Sequence, residues 1–172
     1  VLTEKNFFMG SAENLKIAAD AVSIPILRKD FIFDKYQICQ AKVWGASAVL
    51  LIAAMLSRAE FDELFGFAES LGLDALCEAH TADEISMLAS AGAKIIGVNC
   101  RNLKNFETDF ERVGTLIKLV PQECVKVSES AIGSRETLLR AGEYGADAAL
   151  IGSELMRASS PADRLSQLLG KK

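Results

Sequence analysis

The chain has 172 residues, half of them hydrophobic and 24% charged, with a net charge of −4. That is enough apolar material for one substantial core, and no basic stripe marks a nucleic-acid surface. No apolar run approaches the roughly 20 residues of a membrane span, and no charged n-region precedes an apolar h-region as in a signal peptide. In chain order, short β-rich runs recur at Ser23–Leu27, Ala48–Ile52, Leu73–Cys77, Lys94–Val98, Cys124–Val127 and Ala148–Ile151. Each is short enough to be a strand buried on both faces. Val1-Leu2-Thr3 reads as the end of a further strand.

Helical spacing fills the intervals: Leu15, Ala18, Ala19 and Val22; then Phe61, Leu64, Phe65, Ala68 and Leu71; then Ile85, Leu88 and Ala89; then Leu138, Leu139 and Ala141. Ser11, Ser57, Thr81-x-x-Glu84 and Ser134 are predicted N-terminal caps. Ser153–Met156 reads as a single helical turn. Gly45-Ala46, Gly92-Ala93 and Gly145-Ala146 each precede a strand, where glycine supplies the left-handed exit of a helix. Strict alternation implies a parallel sheet with right-handed crossovers. An open doubly wound sheet and a closed (βα)8 barrel both fit. No Gly-x-Gly-x-x-Gly follows a strand, and the short, regular strand spacing favours the barrel, as one domain over 1–172.

Cysteines 39, 77, 100 and 124 form no Cys-x-x-Cys pair, and His80 is the one histidine. A zinc site is not expected. Small buried thiols in a reducing cytoplasm are.

Polar residues gather at the strand ends: Arg28-Lys29-Asp30, Glu78, Asn99-Cys100-Arg101, Ser128-Glu129-Ser130 and Gly152-Ser153. In a parallel barrel these ends share the face where barrel enzymes place their chemistry. Gly152-Ser153 opens the predicted turn after the last strand, where barrels often bind phosphate.

Several segments in this order and spacing resemble the indole-3-glycerol phosphate synthase family: Val1-Leu2-Thr3-Glu4 with Phe8 and Gly10-Ser11, Leu27-Arg28-Lys29-Asp30-Phe31-Ile32, Asp34-x-Tyr36-Gln37-Ile38 and Leu50-Leu51-Ile52. They continue with Glu78-x-His80, Gly97-Val98-Asn99-x-Arg101-x-Leu103, Ser128-Glu129-Ser130 and Leu150-Ile151-Gly152-Ser153-x-Leu155-Met156-Arg157. The resemblance implies a ribulose-phosphate-binding (βα)8 TIM barrel that closes and decarboxylates 1-(2-carboxyphenylamino)-1-deoxyribulose 5-phosphate, with no cofactor or metal. It makes Lys29 the proton donor of ring closure, with the neighbouring cation Arg28 expected to ease release of that proton. Glu78 and Glu129 become the active-site carboxylates, and Asn99 the residue that orients substrate hydroxyls. Phe8 and Phe31 border the aromatic ring, and Ser130, Gly152 and Ser153 form the phosphate end. Arg101 reads equally as a substrate contact or a structural ion pair, and the two phenylalanines also read as ordinary packing. His80 reads as a loop residue behind the site.

The match departs from the family in two places. Alanine stands at 131 where the family has glycine, which matters if that position needs positive φ. The family's first strand, with its Glu-x-Lys acid–base pair and the Ser-Pro-Ser loop after it, has no counterpart here. The expectation is therefore a barrel lacking the first strand and N-terminal extension. The alternative is a catalytically incomplete fragment that associates through open sheet edges. The expected partner is a phosphorylated small molecule, with no nucleic acid and no membrane.

Overall fold

The computed structural model describes residues 1–99, 101 and 110–171. Cys100 and Leu103, named above, lie outside the described residues. The chain forms two compact units, one of Val1–Glu78 with Ala91–Ala93, the other of Ala79–Ser90 with Lys94–Lys172.

The first unit opens with α1 (Ala12–Ala21), capped by the Ser11 hydroxyl, which accepts from the Asn14 N–H. Strand β1 (Leu27–Arg28) follows, then α2 (Lys35–Val43), β2 (Ala48–Ile52), α3 (Arg58–Ser70) and β3 (Asp74–Ala79). The apolar run predicts β1 from Ser23, yet only Leu27 and Arg28 join the ladder, opposite Ala48 and Val49. Pro25 lies just upstream and has no N–H to give a neighbouring strand. β2 runs over the predicted residues, and Val49 to Ile52 are all buried. It pairs in parallel with β3, Ile52 opposite Glu78. Leu15, Ile38 and Phe61 are fully buried. Burying each such side chain contributes about 1.5–3 kcal/mol. The expected seventh strand end is present as an isolated parallel bridge between Leu2 and Lys29.

The second unit holds α4 (Ala82–Ser90), β4 (Ile95–Asn99), α5 (Phe110–Ile117), β5 (Val125–Glu129), α6 (Arg135–Glu143), β6 (Ala148–Leu150), α7 (Ser153–Met156) and α8 (Pro161–Leu169). β4, β5 and β6 are parallel, with Asn99 opposite Glu129 and Glu129 opposite Leu150. Ser57 and Ser134 form capping boxes, and Thr81 accepts from the Glu84 N–H. The glycines that precede strands, Gly45, Gly92 and Gly145, all sit at positive φ, as a helix exit before each strand requires.

Cys77 and Cys124 are buried, as expected of small apolar thiols. Cys39 is exposed on α2, against that expectation, because the buried face of this helix is carried by Ile38 and Ala41. Among the described residues, no helix is long and apolar enough to cross a membrane.

Candidate active site

In the first unit the site residues stand at or just past the ends of their strands. Lys29 follows β1, and Glu78 lies near the end of β3, only 2% exposed. The Lys29 Nζ is 3.6 Å from the Glu78 Oε2. It also lies 5.9 Å from the centre of the Phe8 ring, within cation–π range. Phe8 packs against Phe31 with centroids 4.9 Å apart. The lysine, the carboxylate and the two rings predicted from the sequence are therefore brought together.

Arg28 does not stand as a bare cation beside Lys29. Its Nη2 pairs with the Asp30 Oδ2 at 2.9 Å, and its guanidinium lies 4.5 Å from the centre of the Trp44 ring.

Two features here carry no signal in the sequence. Phe7 meets Phe31 edge-on at 5.9 Å and is 77% exposed. Glu4 turns its carboxylate back onto its own loop and accepts from the N–H groups of Asn6, Phe7 and Phe8. Desolvation raises the Glu4 pKa, but these hydrogen bonds outweigh it and hold the carboxyl below its ordinary value. No spacing rule announces such a loop, because the carboxylate is satisfied by backbone rather than by another side chain.

In the second unit Asn99 ends β4 and Glu129 ends β5, with Glu129 1% exposed. The Asn99 Oδ1 accepts from the Ser130 hydroxyl at 2.9 Å and from the Arg101 N–H at 3.0 Å. Those two donors fix which way the amide faces. The Arg101 Nε is buried with no hydrogen-bond partner among the described residues. Ser130 and Ala131 both have left-handed backbones, at φ +68° and +57°. The condition stated for Ala131 is thus met: the position does need positive φ.

Gly152 begins the short helix α7 as its N-cap, and both Gly152 and Ser153 are exposed. Arg164 of α8, which no sequence motif singles out, ties this end together. Its Nε donates to the Glu154 carboxylate at 2.7 Å and its Nη2 to the Gly133 carbonyl at 2.8 Å. His80 behaves as the loop residue expected. Its N–H donates to Glu84 and its carbonyl accepts from Arg112. No group of three or more His, Cys, Asp or Glu side chains among the described residues is placed to hold a metal ion.

The family model described as indole-3-glycerol phosphate synthase matches residues 1–168. The chain belongs to the indole-3-glycerol phosphate synthase family. It is 46% identical over 171 residues to the indole-3-glycerol phosphate synthase of Lachnospira eligens, covering 96% of this chain and 64% of that protein. It is 48% identical over 170 residues to that of Endomicrobium trichonymphae, covering 98% and 65%. The chain thus spans a little under two thirds of the length of these relatives. Among solved structures, 3-hexulose-6-phosphate synthase from Salmonella typhimurium superposes with a TM-score of 0.79 at 17% identity, covering 98% of this chain and 84% of that one. Likeness at that identity speaks for fold alone, and the fold is the expected (βα)8 barrel type lacking its first strand, with a parallel six-stranded sheet and alternating helices.

Proposed function

We propose that the chain is the greater part of an indole-3-glycerol phosphate synthase, which performs the indole-forming step of tryptophan biosynthesis. The reaction converts 1-(2-carboxyphenylamino)-1-deoxyribulose 5-phosphate to indole-3-glycerol phosphate, carbon dioxide and water. The observation that carries this reading is Lys29, held 3.6 Å from the buried Glu78 and beside the Phe8 and Phe31 rings, in a chain of this family.

In this reading the substrate's aromatic ring lies against Phe8 and Phe31. Its carboxyl-bearing carbon attacks the sugar carbonyl, and a carbon–carbon bond forms. The carbonyl oxygen gains negative charge, and the Lys29 ammonium donates a proton to it. Carbon dioxide then leaves and its electron pair returns to the ring. Loss of the new hydroxyl as water, with a proton from the neighbouring carbon, completes the indole. The Glu78 and Glu129 carboxylates steady the cationic intermediates and move protons in these later steps. Asn99, its amide fixed by Ser130 and Arg101, orients the sugar hydroxyls. Ser130, Gly152 and Ser153 hold the phosphate, and Arg101 supplies a positive charge to the substrate. No cofactor enters any step. Solution in a cytoplasmic compartment suits this substrate.

The test is indole fluorescence released from the carboxyphenylamino substrate by the full-length protein. Turnover is expected, together with its loss in Lys29→Ala. Unchanged turnover in Lys29→Ala, or none in the parent protein, overturns the reading.

A further inference from the structure

Lys29 sits at a weak point of the sheet. The β1–β2 ladder ends at Arg28 opposite Val49, so Lys29 lies one residue beyond its last registered pair. What holds it instead comes from the N-terminal segment. The Lys29 N–H donates to the Val1 carbonyl at 2.8 Å, and the Thr3 N–H donates to the Lys29 carbonyl at 3.2 Å.

Behind this backbone bridge lies a closed polar triangle. In an extended segment Arg28 and Asp30 point to the side opposite Lys29. The Arg28 Nη2 is 2.9 Å from the Asp30 Oδ2, the Thr3 hydroxyl donates to that same oxygen at 2.5 Å, and the Arg28 Nε donates to the Thr3 Oγ1 at 3.0 Å. All three residues are buried. The Arg28 Nη1 is anchored further by the Gln37 carbonyl, and the other Asp30 oxygen accepts from the Phe31 N–H at 2.8 Å. One carboxylate therefore joins the Arg28 and Thr3 side chains to the backbone N–H of Phe31.

A buried ion pair with its hydrogen-bonded hydroxyl is not an economical source of stability. Well-packed apolar residues of the same volume often do as well. What the triangle does supply is direction. It holds the backbone through residues 28–30 from the side opposite the Lys29 side chain, which runs toward Glu78.

We propose that Thr3, Arg28 and Asp30 form a brace that aims the Lys29 ammonium, which makes Thr3 and Asp30 positioning residues for the ring-closing proton transfer. This rests on the reading of Lys29 as the proton donor.

The test compares Thr3→Val, which removes the hydroxyl at nearly constant volume, with Thr3→Ser, which keeps it, in the full-length protein. kcat, KM and Tm are measured for each, with Lys29→Ala alongside. Thr3→Val is expected to lower kcat fivefold or more with KM within twofold of the parent, and Thr3→Ser to restore kcat. A kcat per folded molecule unchanged in Thr3→Val, with only Tm lowered, overturns the brace. Should Thr3→Val not fold, Asp30→Asn carries the same comparison: reduced kcat at constant KM supports the brace, and parental kcat overturns it. Lys29→Ala separates the two claims. If it keeps parental turnover, the functional reading fails. If it loses turnover while Thr3→Val and Asp30→Asn do not, the brace fails alone.

Discussion

The Lys29 ammonium and the Glu78 carboxylate stand 3.6 Å apart, the lysine side chain 21% exposed and the glutamate 3%. The buried carboxylate gives the lysine head a fixed partner and so a direction, as a proton donor needs. Lys29→Ala is expected to reduce indole formation more than tenfold. Circular dichroism should show an unchanged fold, because the lysine head is not part of the core.

Gly10 is expected to tolerate no side chain. A Cβ there would lie 2.3 Å from the Leu2 carbonyl oxygen. That is backbone, and Leu2 is the residue bridged to Lys29. Gly10→Ala should cost about 1–3 kcal/mol, the range for forcing a methyl group into a filled space. Thermal unfolding measures this, and turnover should fall with it because the bridge must shift.

Much of the fold is legible in the residues alone. β2 lies where its apolar run lies, since an uninterrupted run of five such residues has little choice but a strand buried on both faces. Three helices fall outside the segments with helical spacing. α2 buries only Ile38 and Ala41, too narrow a stripe to show a period. α5 does carry an apolar stripe, Val113, Leu116 and Ile117, but over only eight residues, which is little more than two turns of the period. α8 carries a readable start in Ser160 with Pro161 at its first turn, but not a long apolar stripe behind it. The strand-end positions of Lys29, Glu78, Asn99 and Glu129 are also legible, because parallel strands expose their ends. The Lys29–Glu78 contact and the brace behind Lys29 are not, since both depend on cross-strand register and on side-chain direction.

Glu4 is expected to give the Asn6–Phe8 loop an acid limit. Its folded-state pKa is lowered, so its stabilising hydrogen bonds are complete above the ordinary carboxylate pKa. They are lost as pH falls through the lowered value. Amide NMR shifts of Asn6, Phe7 and Phe8 should move together in that acid range, and Glu4→Gln should abolish the transition. Shifts that move at neutral pH would contradict this assignment.

Arg164→Ala should separate binding from stability. Its ion pair with Glu154 is partly exposed, so the loss in stability should stay near 0–1 kcal/mol. The same side chain, however, secures the Gly133 carbonyl to α7, beside the proposed phosphate end. A severalfold rise in KM for the phosphorylated substrate is expected, with kcat near the parent value. Equal KM in the two proteins would remove Arg164 from the phosphate end.

Ala131 is the position where one methyl group should matter most. Its φ of +57° follows a Ser130 already at +68°, so two residues with side chains occupy a backbone region that favours glycine. The left-handed conformation costs an L-residue roughly 1–2 kcal/mol. Ala131→Gly removes that cost, while the extra freedom of glycine in the unfolded chain returns part of it. A net gain of about 0.5–1 kcal/mol is expected, raising Tm by about 1–4 °C for a chain of this size. Ser130 donates to Asn99, so easing its neighbour leaves that hydrogen bond in place. Inorganic phosphate should therefore bind the variant at least as tightly as the parent in a competition assay against substrate. A lower Tm in Ala131→Gly would mean that the alanine methyl makes packing contacts worth more than the strain it imposes.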